Sequence, residues 1–311
     1  MIIKRRKTRM VKIGDVKIGA GYPIAIQSMT KVKTADISST VKEINDLEKA
    51  GCEIVRLAVK DALDAKAIKH IKKETRIPIV ADIHFDHNLA VSSIYSGADK
   101  IRINPGNMRK KEDIVRVIDC AAEKKMPIRI GVNSGSLPFR EVPAGREAEY
   151  MVKALLKYLK IFEERKFNNI VISLKSSSVL ETIASYRKAS SVCDYPFHLG
   201  ITASGVVRSG IIKSAIGMGT LLLDGIGDTI RVSLTADACE EVDAAKRILS
   251  SLELRHFGPE IISCPTCVRC QVDLIPIVEK LEKEVARHTA YDIRYTNKPL
   301  LIAIMGCEVN G

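Results

Sequence analysis

Eight short β-rich runs alternate with helical stretches between residues 24 and 251, at intervals of roughly 25 to 35 residues. The strands that this pattern predicts are residues 24–28, 53–58, 77–82, 99–104, 127–133, 169–174, 196–202 and 228–234. Asp36 and Gly51 bracket one predicted helix, and Ser178 and Asp237 are typical N-caps for two later helices. Eight strand–helix units in a row predict a (β/α)8 barrel, and an open doubly wound sheet is the structural alternative.

The segments on either side of this repeat are short. Residues 8–18 alternate loosely around a Gly-Asp turn at 14 and 15, which predicts a hairpin that closes one end of the barrel. A Gly-Pro break at Gly258 and Pro259 follows the last barrel helix. We therefore expect a barrel domain with its hairpin at 1–257 and a small appended domain at 258–311. The longest connection, residues 134–145, follows the fifth predicted strand, where barrel enzymes place active-site loops.

The charge balance is strongly basic. Lys and Arg total 49 against 37 Asp and Glu, a formal net charge of +12, which favours anionic substrates, acidic protein partners or nucleic acid. The basic N-terminus lacks the apolar stretch of a secretory signal, and no apolar run reaches membrane-spanning length. We expect a cytoplasmic protein in which the four scattered cysteines, Cys52, Cys120, Cys193 and Cys239, are reduced thiols among apolar neighbours.

Positively charged side chains occur at or near the carboxyl ends of five predicted strands. They are Arg56, Arg102, Arg129, Lys175 and Arg231. Isolated charges inside a barrel cost several kcal/mol each unless they are paired, and Asp82 is one internal carboxylate that cannot balance five cations. The excess predicts an anionic ligand such as a phosphate or diphosphate. The alternative is that some of these arginines point outward and pair with carboxylates on helices.

Residues two apart in a strand share a face, which extends the predicted pocket to polar neighbours. Arg102 shares its face with Asn104, Arg129 with Asn133, and Arg231 with Ser233. His84 and His198 each lie at a strand end, where a histidine either positions substrate or is a satisfied structural residue.

Four of the eight cysteines lie in two short runs of the appended segment. The runs are Cys264-Pro-Thr-Cys267-Val-Arg-Cys270 and Met305-Gly-Cys307-Glu-Val-Asn-Gly311. A Cys-x-x-Cys pair with a distant third cysteine supplies thiolate ligands for zinc or an iron–sulfur cluster. A disulfide, a redox pair and a chance arrangement are the other interpretations.

With these residues in place, the sequence resembles the 4-hydroxy-3-methylbut-2-enyl diphosphate synthases of isoprenoid precursor biosynthesis, nearly from end to end. The motifs that carry the resemblance are Pro23-Ile-Ala-Ile-Gln-Ser-Met-Thr30, Val80-Ala-Asp-Ile-His-Phe-Asp86, Arg102-Ile-Asn-Pro-Gly-Asn107, Pro127-Ile-Arg-Ile-Gly-Val-Asn133, Gly227-Asp-Thr-Ile-Arg-Val-Ser-Leu-Thr235 and the two cysteine runs.

The resemblance implies a TIM barrel followed by a small α+β ferredoxin-like domain with a 4Fe-4S cluster, in a homodimeric oxidoreductase. It implies reductive ring opening of 2-C-methyl-D-erythritol 2,4-cyclodiphosphate to 4-hydroxy-3-methylbut-2-enyl diphosphate in the methylerythritol phosphate (MEP) pathway. Water is lost, and ferredoxin or flavodoxin supplies two electrons. By the same resemblance, Cys264, Cys267 and Cys307 hold the catalytic cluster. The five strand-end cations contact the diphosphate, and Asp82, His84, Asn104, Asn133, His198 and Ser233 complete the expected substrate site.

The chain also departs from the family pattern. Ala203 occupies the position of a glutamate proposed for proton delivery, Lys31 and Lys33 replace more neutral or acidic residues, and Cys270 is expected to be a bystander. The family continues past the position of Gly311 with Pro-Gly-Glu, whose glutamate is the fourth cluster ligand. The resemblance therefore implies a chain truncated at its C-terminus, with an incomplete small domain and a labile or three-iron cluster of little activity.

Two other functions are compatible with parts of the sequence. A phosphate-binding barrel resembling the pterin-diphosphate-using synthases, with structural zinc at the cysteines, is the second enzyme hypothesis. A nucleic-acid surface is the non-enzymatic one, but it predicts cations on helices interleaved with aromatic residues, whereas the notable cations here lie at strand ends.

Overall fold

Strands and helices alternate along most of the chain in a computed structural model, which describes residues 3–108, 110–139, 141–143, 145–202, 205–289 and 300–307, with only the backbone of 286–289. The structure divides into two units, Met1–Ile248 and Leu249–Gly311. This division falls inside the last barrel helix. The domain boundary predicted at 257/258 remains a prediction. None of the described helices is both long and apolar enough to cross a lipid bilayer.

Eight parallel strands form one sheet in which neighbours follow chain order, with the eighth and ninth strands of the chain at its two ends. They are β3 (Ala25–Met29), β4 (Ile54–Ala58), β5 (Ile79–Ile83), β6 (Lys100–Ile103), β7 (Ile128–Asn133), β8 (Ile170–Lys175), β9 (His198–Leu199) and β10 (Thr229–Ile230). β10 returns to pair with β3, and a parallel bridge between Ile172 and Phe197 joins β8 to the start of β9. All eight predicted strands are present, and the predicted (β/α)8 barrel is confirmed.

A helix follows each barrel strand. The helices are α1 (Ile37–Ala50), α2 (Ala62–Glu74), α3 (His87–Tyr95), α4 (Lys111–Glu123), α5 (Glu147–Glu164), α6 (Val179–Ser190), α7 (Val207–Leu223) and α8 (Ala238–Ser251). Two of the predicted N-caps act as expected. The Asp36 side chain accepts a hydrogen bond from the Ser39 amide at 3.2 Å, and the Ser178 side chain accepts one from the Glu181 amide at 3.2 Å. Gly51 ends α1 with a φ of 100°, in the left-handed region that favours glycine.

The predicted hairpin closes the amino-terminal end of the barrel. β1 (Val11–Ile13) pairs with β2 (Val16–Ile18) in antiparallel register, and Gly14 turns between them with a φ of 55°. Their apolar face, formed by Val11, Ile13 and Ile18, is buried against the first inward residues of four strands, which are Ala25, Ile54, Val80 and Val171. The hairpin therefore excludes water from one end of the barrel, and polar inward residues are left for the other end.

Basic residues before the hairpin stabilise the place where the barrel closes. β9 and β10 have only two residues each, so backbone pairing is sparse there. The Arg5 guanidinium lies 3.0 Å from the Asp228 carboxylate, next to β10. The Arg6 guanidinium donates to the carbonyls of Cys193 and Tyr195 at 2.6 Å each, before β9. Side-chain contacts thus supplement the short ladders on this side of the barrel.

The second unit contains a parallel strand pair joined through a helix. β11 (Glu260–Ser263) pairs with β12 (Leu301–Ile304), in a register that sets Ser263 opposite Ile304, and α9 (Leu274–Thr289) lies between them in the chain. Because the strands are parallel, their carboxyl ends meet at one edge. Both cysteine runs begin at that edge.

We expect the hairpin to contribute substantially to barrel stability. Ile13→Ala removes a fully buried side chain and should lower the free energy of unfolding by about 2 to 4 kcal/mol, measured by urea denaturation. Lys12→Ala, next to it but 57% exposed, is the matched control and should change stability by less than about 0.5 kcal/mol. Equal effects of the two substitutions would contradict the role assigned to the hairpin.

Candidate functional site

A cavity of about 370 Å³ opens at the carboxyl ends of the barrel strands. Its lining is dominated by charged and polar side chains, and it consists of Lys31, Arg56, Asp82, His84, Arg102, Arg129, Asn133, Ser173, Lys175, Ile201, Thr202, Gly205, Arg231, Ser233, Leu234, Thr235 and Glu241. This end of a barrel is where enzymes of this architecture bind substrate. All five predicted strand-end cations line the cavity, so the alternative in which they point outward is wrong.

The strand register explains why these side chains converge. Asp82 on β5 lies opposite Arg102 on β6, and Arg102 lies opposite Arg129 on β7. Residues that are paired in register across parallel strands point to the same face. The inward face therefore carries a carboxylate and two guanidinium groups on three consecutive strands.

Asp82 is the centre of an ion-pair network. Its carboxylate lies 3.0 Å from Arg102 Nη1, 3.7 Å from Arg56 Nε and 3.4 Å from His84 Nε2. Burial alone would raise the pKa of Asp82, but Arg56 and Arg102 hold that pKa well below its ordinary value. The carboxylate is thus charged and fixes the orientation of both arginines.

Glu241 is a second cavity carboxylate, which the sequence analysis missed. Its side chain is only 2% exposed, and it lies 3.4 Å from Arg231 Nη2 and 3.3 Å from Lys31 Nζ. It also accepts from the Leu234 amide at 3.1 Å and the Ser28 hydroxyl at 3.2 Å. Its position in the first turn of the helix after β10 was the available signal, because such a turn lies beside the barrel mouth.

The positively charged side chains in the barrel interior outnumber these two carboxylates. Within the described residues, no carboxylate forms an ion pair with Arg129, Lys175 or the fully buried Lys100, and Arg129 Nε and Nη1 have no hydrogen-bond partner. Burial lowers the pKa of each of these three groups well below its ordinary value, and neighbouring arginines lower it further. Burial likewise lowers the pKa of Arg56 to about 9. A bound anion would reverse these shifts.

Two glycines provide the space that the cations occupy. A Cβ at Gly131 would lie 2.7 Å from Arg102 Nε, and a Cβ at Gly200 would lie 2.6 Å from Lys175 Nζ. A side chain at either position would force the neighbouring charged group to shift. The absence of a side chain on β7 and after β9 is therefore part of the site.

Two predicted site residues do not line the cavity. Asn104 is buried and caps a short turn, since its Oδ1 accepts from the Gly106 amide at 3.1 Å and its Nδ2 donates to Ser136 Oγ at 2.6 Å. His198 is fully buried, with Nδ1 2.8 Å from Thr229 Oγ1. Burial, followed by the charge of Arg129, lowers the pKa of His198 well below its ordinary value, so the imidazole is neutral.

The structure also locates most of the positions at which the chain departs from the family pattern. Lys31 lines the cavity, and its ammonium donates to the Ala236 carbonyl, whereas Lys33 is exposed. Ala203 lies outside the described residues.

The cysteine runs meet in the second unit. Cys264 follows β11, and its amide donates to the Ile304 carbonyl of β12 at 3.0 Å; Cys307 comes three residues after β12. Cys264 is buried, Cys267 is exposed and Cys307 is intermediate. Among the described side chains, no three Cys, His, Asp or Glu groups already lie close enough together to hold a metal ion. Thiols at one edge of a parallel strand pair nevertheless fit the donor chemistry of zinc or an iron–sulfur cluster.

The sequence matches two family descriptions that together cover nearly all of it. Residues 8–246 match the GcpE TIM-barrel domain, and residues 260–311 match the GcpE protein C-terminal domain.

Curated relatives named 4-hydroxy-3-methylbut-2-en-1-yl diphosphate synthase (flavodoxin) are similar over the whole chain. The relative from Caldanaerobacter subterraneus subsp. tengcongensis is 52% identical over 100% of this chain and 86% of its own length. That from Lawsonia intracellularis is 49% identical over 99% of this chain and 84% of its own length.

Solved structures of lower identity share the barrel. Dihydropteroate synthase from Stenotrophomonas maltophilia superposes with a TM-score of 0.58 at 16% identity, covering 79% of this chain and 98% of that one. Dihydropteroate synthase from Yersinia pestis superposes with a TM-score of 0.56 at 10% identity, covering 78% of this chain and 98% of that one. Identities this low show the fold alone, so they do not favour the pterin-diphosphate hypothesis.

The buried Lys100 predicts a specific pH dependence of stability. Its pKa is lowered on folding, so the unfolded chain binds more protons below the ordinary lysine pKa, and this residue makes stability rise with pH. Lys100→Met should therefore raise the melting temperature most at neutral pH, and the gain should shrink as pH approaches about 10. When the free energy of unfolding is plotted against pH, the curves of Lys100→Met and of the unmodified chain should differ in slope by at most about 1.4 kcal/mol per pH unit.

The exposed Lys69→Met variant is the control, for which we expect no such convergence. Parallel stability curves for Lys100→Met and the unmodified chain between pH 7 and 10 would contradict the assignment.

Proposed function

Because the chain belongs to the GcpE family, we propose that it converts 2-C-methyl-D-erythritol 2,4-cyclodiphosphate into 4-hydroxy-3-methylbut-2-enyl diphosphate by reductive ring opening with loss of water. The enzyme is an oxidoreductase of isoprenoid precursor biosynthesis. The observation that carries the proposal is the cavity, in which buried cations outnumber carboxylates at the substrate-binding end of the barrel. A cyclic diphosphate supplies the missing negative charge. Anaerobic reconstitution with iron and sulfide, followed by an assay with the cyclodiphosphate and a one-electron reductant, tests the activity.

The diphosphate binds to the cations that have no carboxylate partner. Arg129 presents two unpaired guanidinium nitrogens, and Lys175 lies beside it in the lining. Arginine forks match phosphate oxygens in a bidentate manner, and Lys175 acts as a point charge. Arg56, Arg102 and Arg231 surround the same volume, and Asp82 and Glu241 hold them in place. Binding raises the depressed pKa of Lys175, so the diphosphate is bound together with a proton.

Polar groups at the mouth orient the organic part of the substrate. His84 is 49% exposed and is positioned through its Nε2, 3.4 Å from Asp82. Asn133 and Ser233 line the same volume and offer hydrogen bonds to hydroxyl groups. Asn104 and His198, which were predicted to touch substrate, act indirectly in this proposal. Asn104 stabilises the turn after β6, and His198 contacts Thr229 in the buried interior of the barrel.

Cys264, Cys267 and Cys307 would hold a 4Fe-4S cluster. The donor set is suitable because the three thiols lie beside the carboxyl ends of two paired strands. When bound, such a cluster supplies single electrons and a Lewis-acidic iron. The chain's part is to hold the sulfur ligands and to bind and orient the diphosphate.

The relatives' name specifies flavodoxin, which we propose as the electron donor, with ferredoxin as the alternative. We propose a homodimer and a division into a 1–257 substrate domain and a 258–311 cluster domain. The eight cysteines form no disulfide, and the proposed location is the cytoplasm, where thiols are kept reduced.

Arg129 gives the sharpest test of diphosphate binding. Arg129→Met removes a charge-assisted contact worth about 1.5 to 3 kcal/mol and should weaken substrate binding about ten- to a hundredfold in titration calorimetry. The free protein should lose no thermal stability, because the substitution also removes an unpaired buried charge. Arg165→Ala, which breaks a surface pair with Asp119, is the control and should leave affinity unchanged. Unchanged affinity in Arg129→Met would refute the assignment.

The basic charge should steer the electron donor. Flavodoxins are acidic, and encounter with a protein of net charge +12 is accelerated by long-range attraction. The rate of reduction by flavodoxin should fall steeply as ionic strength rises from about 0.05 to 0.5 M, because the Debye length shrinks from more than about 10 Å to about 4 Å. A small neutral reductant is the control. A flavodoxin rate that is independent of salt would contradict electrostatic steering.

A further inference from the structure

Lys31 lies at the seam where the barrel closes. The ladder between β3 and β10 ends at Ile26 and Ile230, whereas β3 continues toward the cavity as far as Met29. Lys31 follows β3 and lines the cavity, and its ammonium donates to the Leu234 carbonyl, in the loop after β10, at 3.2 Å. The side chain therefore crosses the seam at the substrate-binding end, beyond the last backbone pair.

The backbone from which this side chain extends is held by helix α1. The carboxylate of Glu43, on that helix, accepts a hydrogen bond from the Lys31 amide at 3.0 Å and one from the Val32 amide at 3.2 Å. Lys31 thus reaches the loop after β10 from a fixed position on the opposite side of the seam.

The Lys31 ammonium uses all of its donors on the protein. A lysine ammonium carries three N–H donors, and three acceptors surround this one. They are the carbonyls of Leu234 and Ala236 and the carboxylate of Glu241, which lies 3.3 Å away. Lys31 therefore acts on a ligand in the cavity through Glu241 rather than through a hydrogen bond of its own.

Glu241 is shared between two cations. One of its carboxylate oxygens lies 3.3 Å from Lys31 Nζ, and the other lies 3.4 Å from Arg231 Nη2. The Nε of Arg231 is buried and has no hydrogen-bond partner within the part of the chain that the structure describes. Because Arg231 lines the cavity, this N–H is available to a bound anion.

A carboxylate in the wall of an anion-binding cavity repels the anion unless its charge is neutralised. Glu241 lines the cavity with a side chain that is only 2% exposed, so solvent screens its charge poorly. With Arg231 as its sole cation, Glu241 would cancel the charge of that arginine. Lys31 supplies a second cation, so that this part of the wall keeps a net positive charge for the ligand.

We propose that Lys31 is a positioning residue of the diphosphate site, which neutralises Glu241 and thereby leaves Arg231 free to bind the substrate. The inference rests on the proposed function, which supplies the diphosphate. It assigns a role to one of the positions at which this chain departs from the family pattern. Lys31 is thus part of the binding machinery without touching the ligand.

Titration calorimetry of the whole chain with 2-C-methyl-D-erythritol 2,4-cyclodiphosphate tests this role. Lys31→Met should weaken binding about tenfold, because Glu241 then repels the diphosphate and pairs with Arg231 alone. Lys33→Met is the matched control, since it removes the same charge from the same loop at an exposed position outside the cavity lining. It should change affinity by less than about twofold. Equal losses in the two variants would overturn the inference.

A double-mutant cycle identifies the route of the effect. In a Glu241→Gln background no carboxylate charge remains to be neutralised, so the addition of Lys31→Met should change affinity by less than about twofold. A loss of about tenfold in both backgrounds would mean that Lys31 acts on the ligand independently of Glu241, and it would overturn the proposed role.

Lys31→Gln separates the charge from the hydrogen bonds across the seam. Glutamine keeps N–H donors for the carbonyls of the loop after β10 but carries no charge, so this variant should lose affinity as Lys31→Met does. A structural role alone would lower the melting temperature and leave affinity unchanged, and that result would overturn the inference. Lys31→Gln also decides the matter if Lys31→Met fails to fold.

The titrations also separate this inference from the proposed function. If the unmodified chain does not bind the cyclodiphosphate, the proposed function is wrong and the inference fails with it. If the unmodified chain binds it and both Lys31 variants bind it equally well, only the inference is wrong. Weaker binding in both Lys31 variants, with coupling to Glu241, supports the inference.

Discussion

Positive charge enclosed in the barrel without matching carboxylates is the constraint on which the rest of the structure depends. Arg129 and Lys175 lie in the cavity lining, and Lys100 is fully buried. Asp82 and Glu241 pair with other cations instead. Burial of such a group without a carboxylate partner destabilises the fold, either as an unpaired ion or through the lowered pKa that favours its neutral form, so these residues make the barrel less stable than an apolar interior would. In the proposed function, binding of the polyanionic substrate recovers that energy.

The apolar parts of the barrel offset this cost. The hairpin buries Val11, Ile13 and Ile18 against the amino-terminal ends of the strands, so the polar layer is confined to the other end. Gly131 and Gly200 leave room for charged side chains to extend across the interior. Arg5 and Arg6 reinforce the side where the two shortest strands pair. Each of these features belongs to a different part of the chain, and each allows a charged interior to remain folded.

The second unit uses a different principle to assemble a site. Two parallel strands end at the same edge, and backbone hydrogen bonds to Ile304 and Gly306 hold the cysteine run beside the segment of Cys307. Thiolates are soft ligands that suit iron–sulfur clusters, whereas guanidinium groups suit phosphate. In the proposed function, electron transfer and anion binding therefore use separate ligand chemistries.

Local pattern in the sequence determined the eight barrel strands, the hairpin, the helix caps and the inward face that carries Arg102 and Arg129, because strand periodicity and capping depend on residues close together in the chain. The same pattern identified the cysteine runs by their spacing. Only the tertiary structure decided which charges meet. Glu241, near the end of the barrel sequence, contacts Lys31 and Ser28 near its beginning. His198 contacts Thr229, and Asn104 forms a hydrogen bond with Ser136. These pairings depend on barrel closure, which brings distant strands and loops side by side. No spacing along the chain records which carboxylate will neutralise which cation and which cations will be left for the ligand.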